Sequence, residues 1–176
     1  LAYYDEEEEH FHIYRNKIYD KNSLVYDNIK SMIQDKEGII WIGTYSGVSI
    51  FDTESSIKHY KAGPDEDYLL NENMVHGIYE DSDGYLWVGL KLKGISIIDR
   101  ENHSATSIST ENNDIIKSDM INDITGYKDF IFVRIIDKKK ELIHNTLTIE
   151  PKIYIPDQSG IIIVPGDVDL DSIVKG

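Results

Sequence analysis

The chain has 176 residues, 40% of them hydrophobic, which is enough to build a packed core. Its 32 acidic and 18 basic residues give a formal net charge of −14, a surface that repels phosphate backbones and anionic bilayers and so argues against nucleic-acid binding. It has no cysteine, which excludes disulfides and thiolate zinc sites, and no apolar run approaches the ~20 residues of a membrane-spanning helix.

In chain order, the first residues "LAYYDEEEEHFHIYR" align with "VSIFDTESSIKHYK", placing Leu1 over Val48 and Asp5 over Asp52. They are expected to be the later part of a repeat. They lack the basic and apolar regions of a signal peptide, so any export signal is expected outside them. The run "DEEEEH" reads as a solvated turn. His10 and His12 fall on one face of a strand, a spacing that metals use, but the sequence offers no third ligand. Next, "IKSMIQ" (29–34) alternates Ile29, Ser31 and Ile33 on one side and reads as a strand. "DKEG" (35–38) is a hairpin turn, and "IIWIGT" (39–44), "VSIFD" (48–52) and "SIKHYK" (56–61) are three further short strands. The stretch "DYLLNENMVHGIYED" has helix-like apolar spacing, but its counterpart "NSLVYDNI" leads into a strand, so it is expected to be loop and then strand.

The phrase "DKEGIIWIGT" returns as "DSDGYLWVGL". Asp35 and Asp81, Gly38 and Gly84, Trp41 and Trp87, and Gly43 and Gly89 are each 46 apart. Gly47 and Gly94 are 47 apart, because one residue is inserted in "LKLKG". A third copy, "MINDITGYKDFIFVRII", sets Ile121 over Val75 and Ile124 over Ile78 but has lost the Asp–Gly turn and the Trp. Four short strands per 40–50 residues is the arithmetic of a propeller blade. The predicted fold is all-β: a partial β-propeller of about three to four four-stranded antiparallel blades, the last divergent. Residues 1–100 are assigned to a partial blade and two clear repeats, and 101–176 to a divergent β-meander that continues or caps the propeller, with "PDQSG" (156–160) as a hairpin loop.

The repeated residues have structural reasons. Asp35 and Asp81 can accept backbone N–H groups of their turns, and Gly38 and Gly84 can take the left-handed conformation there. Trp41 and Trp87 can fill the wedge between blades, worth ~3–5 kcal/mol against alanine. Gly43, Gly47, Gly89 and Gly94 permit the next turn and close backbone approach.

These residues carry a resemblance. "MIQDKEGIIWIGTYSGVSIFD" and "IYEDSDGYLWVGLKLKGISIID" resemble the two-component regulator propeller repeat, D-x-x-G-x-x-W-x-G-T followed by a glycine pair. The departures are Ser46 for the first glycine of the pair, and Leu90 and Lys91 where Thr is usual. The resemblance implies a non-catalytic, extracytoplasmic sensor module of a bacterial two-component-type receptor, periplasmic or at the cell surface, with glycans as a candidate ligand class. It implies no cofactor.

Ligand residues are expected where loops differ between copies, beside the repeated framework. Tyr45 and the Lys91/Lys93 pair meet that condition. In the tail, Asp167, Asp169 and Asp171 have the 1, 3, 5 spacing of a calcium cage, but Ser172 stands where the turn glycine belongs, and the segment reads as a solvated acidic tail. Neither a G-x-S-x-G nor a distinctive carboxylate pair is present to mark catalysis. Two other classes stay open: a propeller-scaffold polysaccharide lyase or hydrolase, and a structural dimerisation scaffold. Somewhat under four blades would leave strand edges unpaired, so these blades are expected to pair with further blades of a larger propeller or with another copy. Light scattering checks this: self-association of the isolated chain is the expected result, and a monomeric closed ring contradicts it.

Overall fold

Short strands rich in Ile, Val and Trp cannot bury their apolar faces alone, and here successive sheets cover one another. A computed structural model describes residues 1–51, 57–63, 69–113, 116, 118–127, 130–135 and 161–165. These contain strands in four sheets and no helix.

Strands β1 (Ala2–Asp5) and β2 (His10–Ile13) form an antiparallel pair. Strands β3 (Ile29–Gln34), β4 (Ile40–Thr44), β5 (Gly47–Phe51) and β6 (Lys58–Tyr60) form a four-stranded antiparallel meander. Strands β7 (Val75–Glu80), β8 (Leu86–Leu90), β9 (Ile95–Asp99) and β10 (Ser104–Ile108) form a second one with the same order. Strands β11 (Ile121–Tyr127) and β12 (Phe130–Ile135) are antiparallel, and β13 (Ile161–Pro165) lies parallel to β12.

Two of these findings refine the sequence reading. The second blade runs past residue 100, because β10 pairs with β9. Its "SATSI" is largely exposed and has no apolar alternation to announce a strand. The third sheet is not a simple meander, since a parallel neighbour requires a crossover connection. The "PDQSG" segment lies outside the described residues.

The innermost strands are β3, β7 and β11, and β7 packs between the other two. The Ile78 N–H donates to Ser31 Oγ at 3.1 Å across the first of these junctions. The blades meet over two cores. The first joins Trp41, Val48 and Ile50 to Val75, Leu86, Val88 and Ile98. The second joins Ile95, with Trp87 and Ile97 partly buried against it, to Ile121, Ile124 and Val133. A Cβ at Gly43 would stand 2.7 Å from Val75 Cγ1, and one at Gly89 would stand 2.6 Å from Ile121 Cγ2. The repeated glycine therefore makes room for the next blade's first strand.

Each Asp–Gly phrase folds as expected and adds a bond. Asp35 Oδ1 accepts the N–H groups of Glu37 (3.0 Å) and Ile39 (2.9 Å), while its Oδ2 accepts the Trp41 indole N–H at 2.7 Å. Asp81 repeats this with Asp83 (3.0 Å), Tyr85 (2.9 Å) and Trp87 (2.7 Å). Gly38 and Gly84 sit at φ 88° and 86°, where a side chain is strained. One junction gains a further clamp: Arg100 bonds Asp35 Oδ2 at 2.5 Å and Glu80 Oε1 at 2.6 Å, tying the second blade to the first.

The two tryptophans are not equally buried. Trp41 is 2% exposed, whereas Trp87 is only partly buried. Trp41→Ala is expected to cost ~3–5 kcal/mol in chemical denaturation, and Trp87→Ala less. Equal losses would contradict this difference in packing.

Candidate functional site

An up-and-down blade has two ends. At one lie the turns joining its first and second strands and its third and fourth. At the other lie the turn joining β4 to β5 or β8 to β9, and the start of the innermost strand. At the second end two pairs of equivalent positions differ in chemistry between copies: Lys30 and His76, and Tyr45 and Lys91.

There the innermost strands carry a recurrent irregularity. Pairing of β3 with β4 shifts between Ile29 and Ser31, that of β7 with β8 between Val75 and Gly77, and that of β11 with β12 between Ile121 and Asp123. In each blade one residue falls out of the ladder: Lys30, His76 and Asn122. A bulge of this kind re-aims a side chain while the framework stays the same. With its amide oxygen toward Arg134, Asn122 accepts from Nη2 at 2.9 Å and Nε at 3.1 Å.

Opposite these bulges are the turns that follow the Trp strands. In the first blade, buried Thr44 fixes the turn: its hydroxyl donates to the Gly47 carbonyl at 2.8 Å and accepts the Ser46 N–H at 3.0 Å. Tyr45 projects from it. In the second blade Leu90 replaces Thr44 and the turn is one residue longer. Glu72 Oε2 takes over, accepting the Leu92 N–H at 2.7 Å, while the Lys91 N–H donates to the Met74 carbonyl at 2.9 Å.

The result is one cluster across the first blade junction. The Tyr45 ring lies 5.7 Å from the His76 ring at an interplanar angle of 32°. Lys30 Nζ is 4.4 Å and Lys91 Nζ 5.6 Å from the Tyr45 ring centroid. Lys30 and His76 are repeat equivalents, as are Tyr45 and Lys91. The ion pairs among the described residues use His12, Lys17, Arg100 and Arg134, not Lys30 or Lys91. His76 Nε2 is buried and has no hydrogen-bond partner among the described residues. Burial lowers the His76 pKa from its ordinary value, and Lys91 and Lys30 push it further down; the Ile121 backbone and Glu72 oppose them. These groups can bind and orient a ligand through cations, an imidazole and a phenol.

The structure thus brings together Tyr45 and Lys91, two of the three residues read from the sequence. Lys93 is exposed and stands outside the cluster. Lys30 and His76 were missed, and the available signal was that they are the same repeat position carrying different residues. Asp167, Asp169 and Asp171 lie outside the described residues.

At the opposite end a cleft of about 450 Å3 is lined by Lys36, Glu80, Tyr85, Asp99 and Arg100 among others. Its charges are largely engaged: Arg100 by Asp35 and Glu80, and Lys36 by the carbonyls of Asp81 (2.9 Å) and Ser82 (2.8 Å). On the first hairpin, ligand atoms of Asp5, Glu8 and His12 come within 4.8 Å of one another. Here His12 pairs with Glu8 Oε2 at 3.2 Å, and Asp5 Oδ1 is occupied by the N–H groups of Glu7 and Glu8.

Sheets of four antiparallel strands, each with its first strand innermost, are propeller blades. Residues 23–46 and 69–91 match the family described as two component regulator propeller. The fold is similar to a crystal structure from B. thetaiotaomicron described as the extracellular domain of a hybrid two component system, BT3049, at 22% identity and a TM-score of 0.57; the match covers 74% of this chain and 17% of that one. A second such domain, BT4673 of the same organism, matches at 25% identity and a TM-score of 0.54, over 66% of this chain and 16% of that one. The chain therefore spans about a sixth of the length of the structures it matches. No curated protein matches the sequence.

The lowered His76 pKa fixes a pH dependence. As pH falls below 6.5 the unfolded chain takes up this proton before the folded one, so the contribution to stability is full above 6.5 and is lost as pH drops toward the folded value. In an NMR titration His76 is expected to titrate below 6.5, and Lys91→Met is expected to raise its midpoint by removing a like charge. A midpoint at or above 6.5, or a fall on substitution, would contradict the arrangement.

Proposed function

We propose that these blades belong to the extracytoplasmic sensor domain of a bacterial two-component receptor, and that the domain binds an oligosaccharide without turning it over. The observation that carries the reading is the pair of two-component regulator repeats at 23–46 and 69–91. The likeness to two domains described as extracellular parts of hybrid two component systems supports it at the level of the fold. The cluster around Tyr45 supports ligand binding, because it offers groups that hold a ligand and sits at one end of the innermost strands.

A signal from this site has a short route. The cluster spans the junction of two blades, so a ligand held by Tyr45 on one and His76 on the other biases how the blades pack. The chain's strand edges are completed by further blades or by a second copy, and that contact carries the change onward.

Calorimetry with a panel of oligosaccharides, paired with mass spectrometry of the recovered ligand, tests the proposal. Saturable binding with the ligand intact is expected. Shortened or unsaturated products would replace it with a hydrolase or lyase reading, and self-association with no binding to any member would leave a structural scaffold.

A further inference from the structure

We propose that Lys30, Tyr45, His76 and Lys91 form a subsite for an oxyanion, a carboxylate or sulfate group carried by the ligand. The inference rests on the sensor reading above and assigns the charge of the ligand and the place where that charge is held.

Position is the first argument. The two blades share their Asp–Gly turns, their tryptophans and their bulges, and a scaffold of this kind does not need a particular residue at 30, 45, 76 or 91. These are two pairs of equivalent positions, and each pair differs between copies: Lys against His, Tyr against Lys. The bulges put Lys30 and His76 outside the ladder, and the two turns bring Tyr45 and Lys91 to the same spot from adjacent blades.

Charge is the second. The chain carries −14 overall, and its long-range field opposes the adsorption of anions. Nevertheless, two ammonium groups lie within 4.4 and 5.6 Å of one phenol ring, outside the ion pairs of the described residues. Like charges gathered in this way repel, and an anion between them relieves that repulsion. The cations at the other end of the same junction are consumed by protein acceptors. Glu72 is the acidic group near this cluster, and its Oε2 is committed to the Leu92 N–H.

The imidazole is the third. A buried polar nitrogen without a partner is uncommon and calls for a reason. His76 Nε2 is such an atom, on a ring 5.7 Å from that of Tyr45, the ring that the two lysines also approach. An oxyanion at the lysines offsets the charge that opposes protonation of His76. Binding therefore takes up a proton, and affinity for the anion rises as pH falls through the His76 titration.

The test uses three oligosaccharides of equal length, a galacturonate oligomer, a sulfated galactan oligomer and a neutral galactan oligomer, together with inorganic sulfate. Each is titrated into the wild-type chain, the Lys30→Met/Lys91→Met variant and the control Lys58→Met. His76 is followed by NMR, and each variant is checked for an unchanged melting temperature. An acidic oligomer is expected to bind at least about tenfold more tightly than the neutral one. The double variant is expected to lose that preference, Lys58→Met to keep it, and the His76 resonance to move on binding; whichever acidic arm binds decides between carboxylate and sulfate. Equal binding of neutral and acidic oligomers, unaltered by the double variant, overturns the oxyanion subsite and leaves the sensor reading standing. Sulfate that shifts His76 while no oligosaccharide binds supports the subsite and sinks the oligosaccharide reading. Failure of every arm overturns both.

Discussion

The carboxylate of Asp35 is the contact on which the described blades most depend. One oxygen closes the turn by accepting two backbone N–H groups, and the other holds the Trp41 indole. The same oxygen receives Arg100 from the second blade, and the arginine stands 5.7 Å over the Trp41 ring. Local turn chemistry, the orientation of the wedge residue and the packing of two blades therefore meet at one buried group. Its side chain is fully buried, which strengthens each of these bonds and makes the loss of a partner costly. Asp81 repeats the turn and the tryptophan, but among the described residues no arginine reaches it, and Trp87 is correspondingly less enclosed.

A junction held from below leaves its other end available. Arg100 and Lys36 clamp the first and second blades beside the Asp–Gly turns. At the far end the blades meet through bulged strands and short turns, whose backbone is fixed by Thr44 in one blade and Glu72 in the next. The framework sets where Lys30, Tyr45, His76 and Lys91 stand without requiring what they are. A repeat architecture is suited to this: one supersecondary unit is copied, and chemistry enters by changing side chains at equivalent places.

The legible part of the fold was local or periodic. The turn glycines, the strand that follows them and the wedge tryptophan each follow from a few adjacent residues, and the spacing of 46 showed that they recur. The indole bond to Asp35 and the reach of Arg100 across 65 positions were not legible, because periodicity carries no information about which side chains meet. The alternation of Ile29, Ser31 and Ile33 concealed the bulge at Lys30, since a bulge leaves the flanking apolar pattern intact. β10 gave no signal of its own because a largely exposed edge strand has no buried face to pattern. The direction of β13 was invisible because parallel and antiparallel partners share the same composition. At the site, difference between copies singled out Tyr45, Lys91 and Lys93; Tyr45 and Lys91 stand together in the fold, and Lys93 is exposed outside that cluster.

A double-mutant cycle on Asp35→Asn and Arg100→Met, read as unfolding free energy, tests most directly whether one carboxylate joins the turn, the tryptophan and the neighbouring blade. The cycle is expected to give a coupling of about 1.5–3 kcal/mol, with either single substitution removing most of the effect of both. Additive losses would mean that Arg100 stabilises the second blade independently of Asp35, and the blade junction would have to be explained by apolar packing alone.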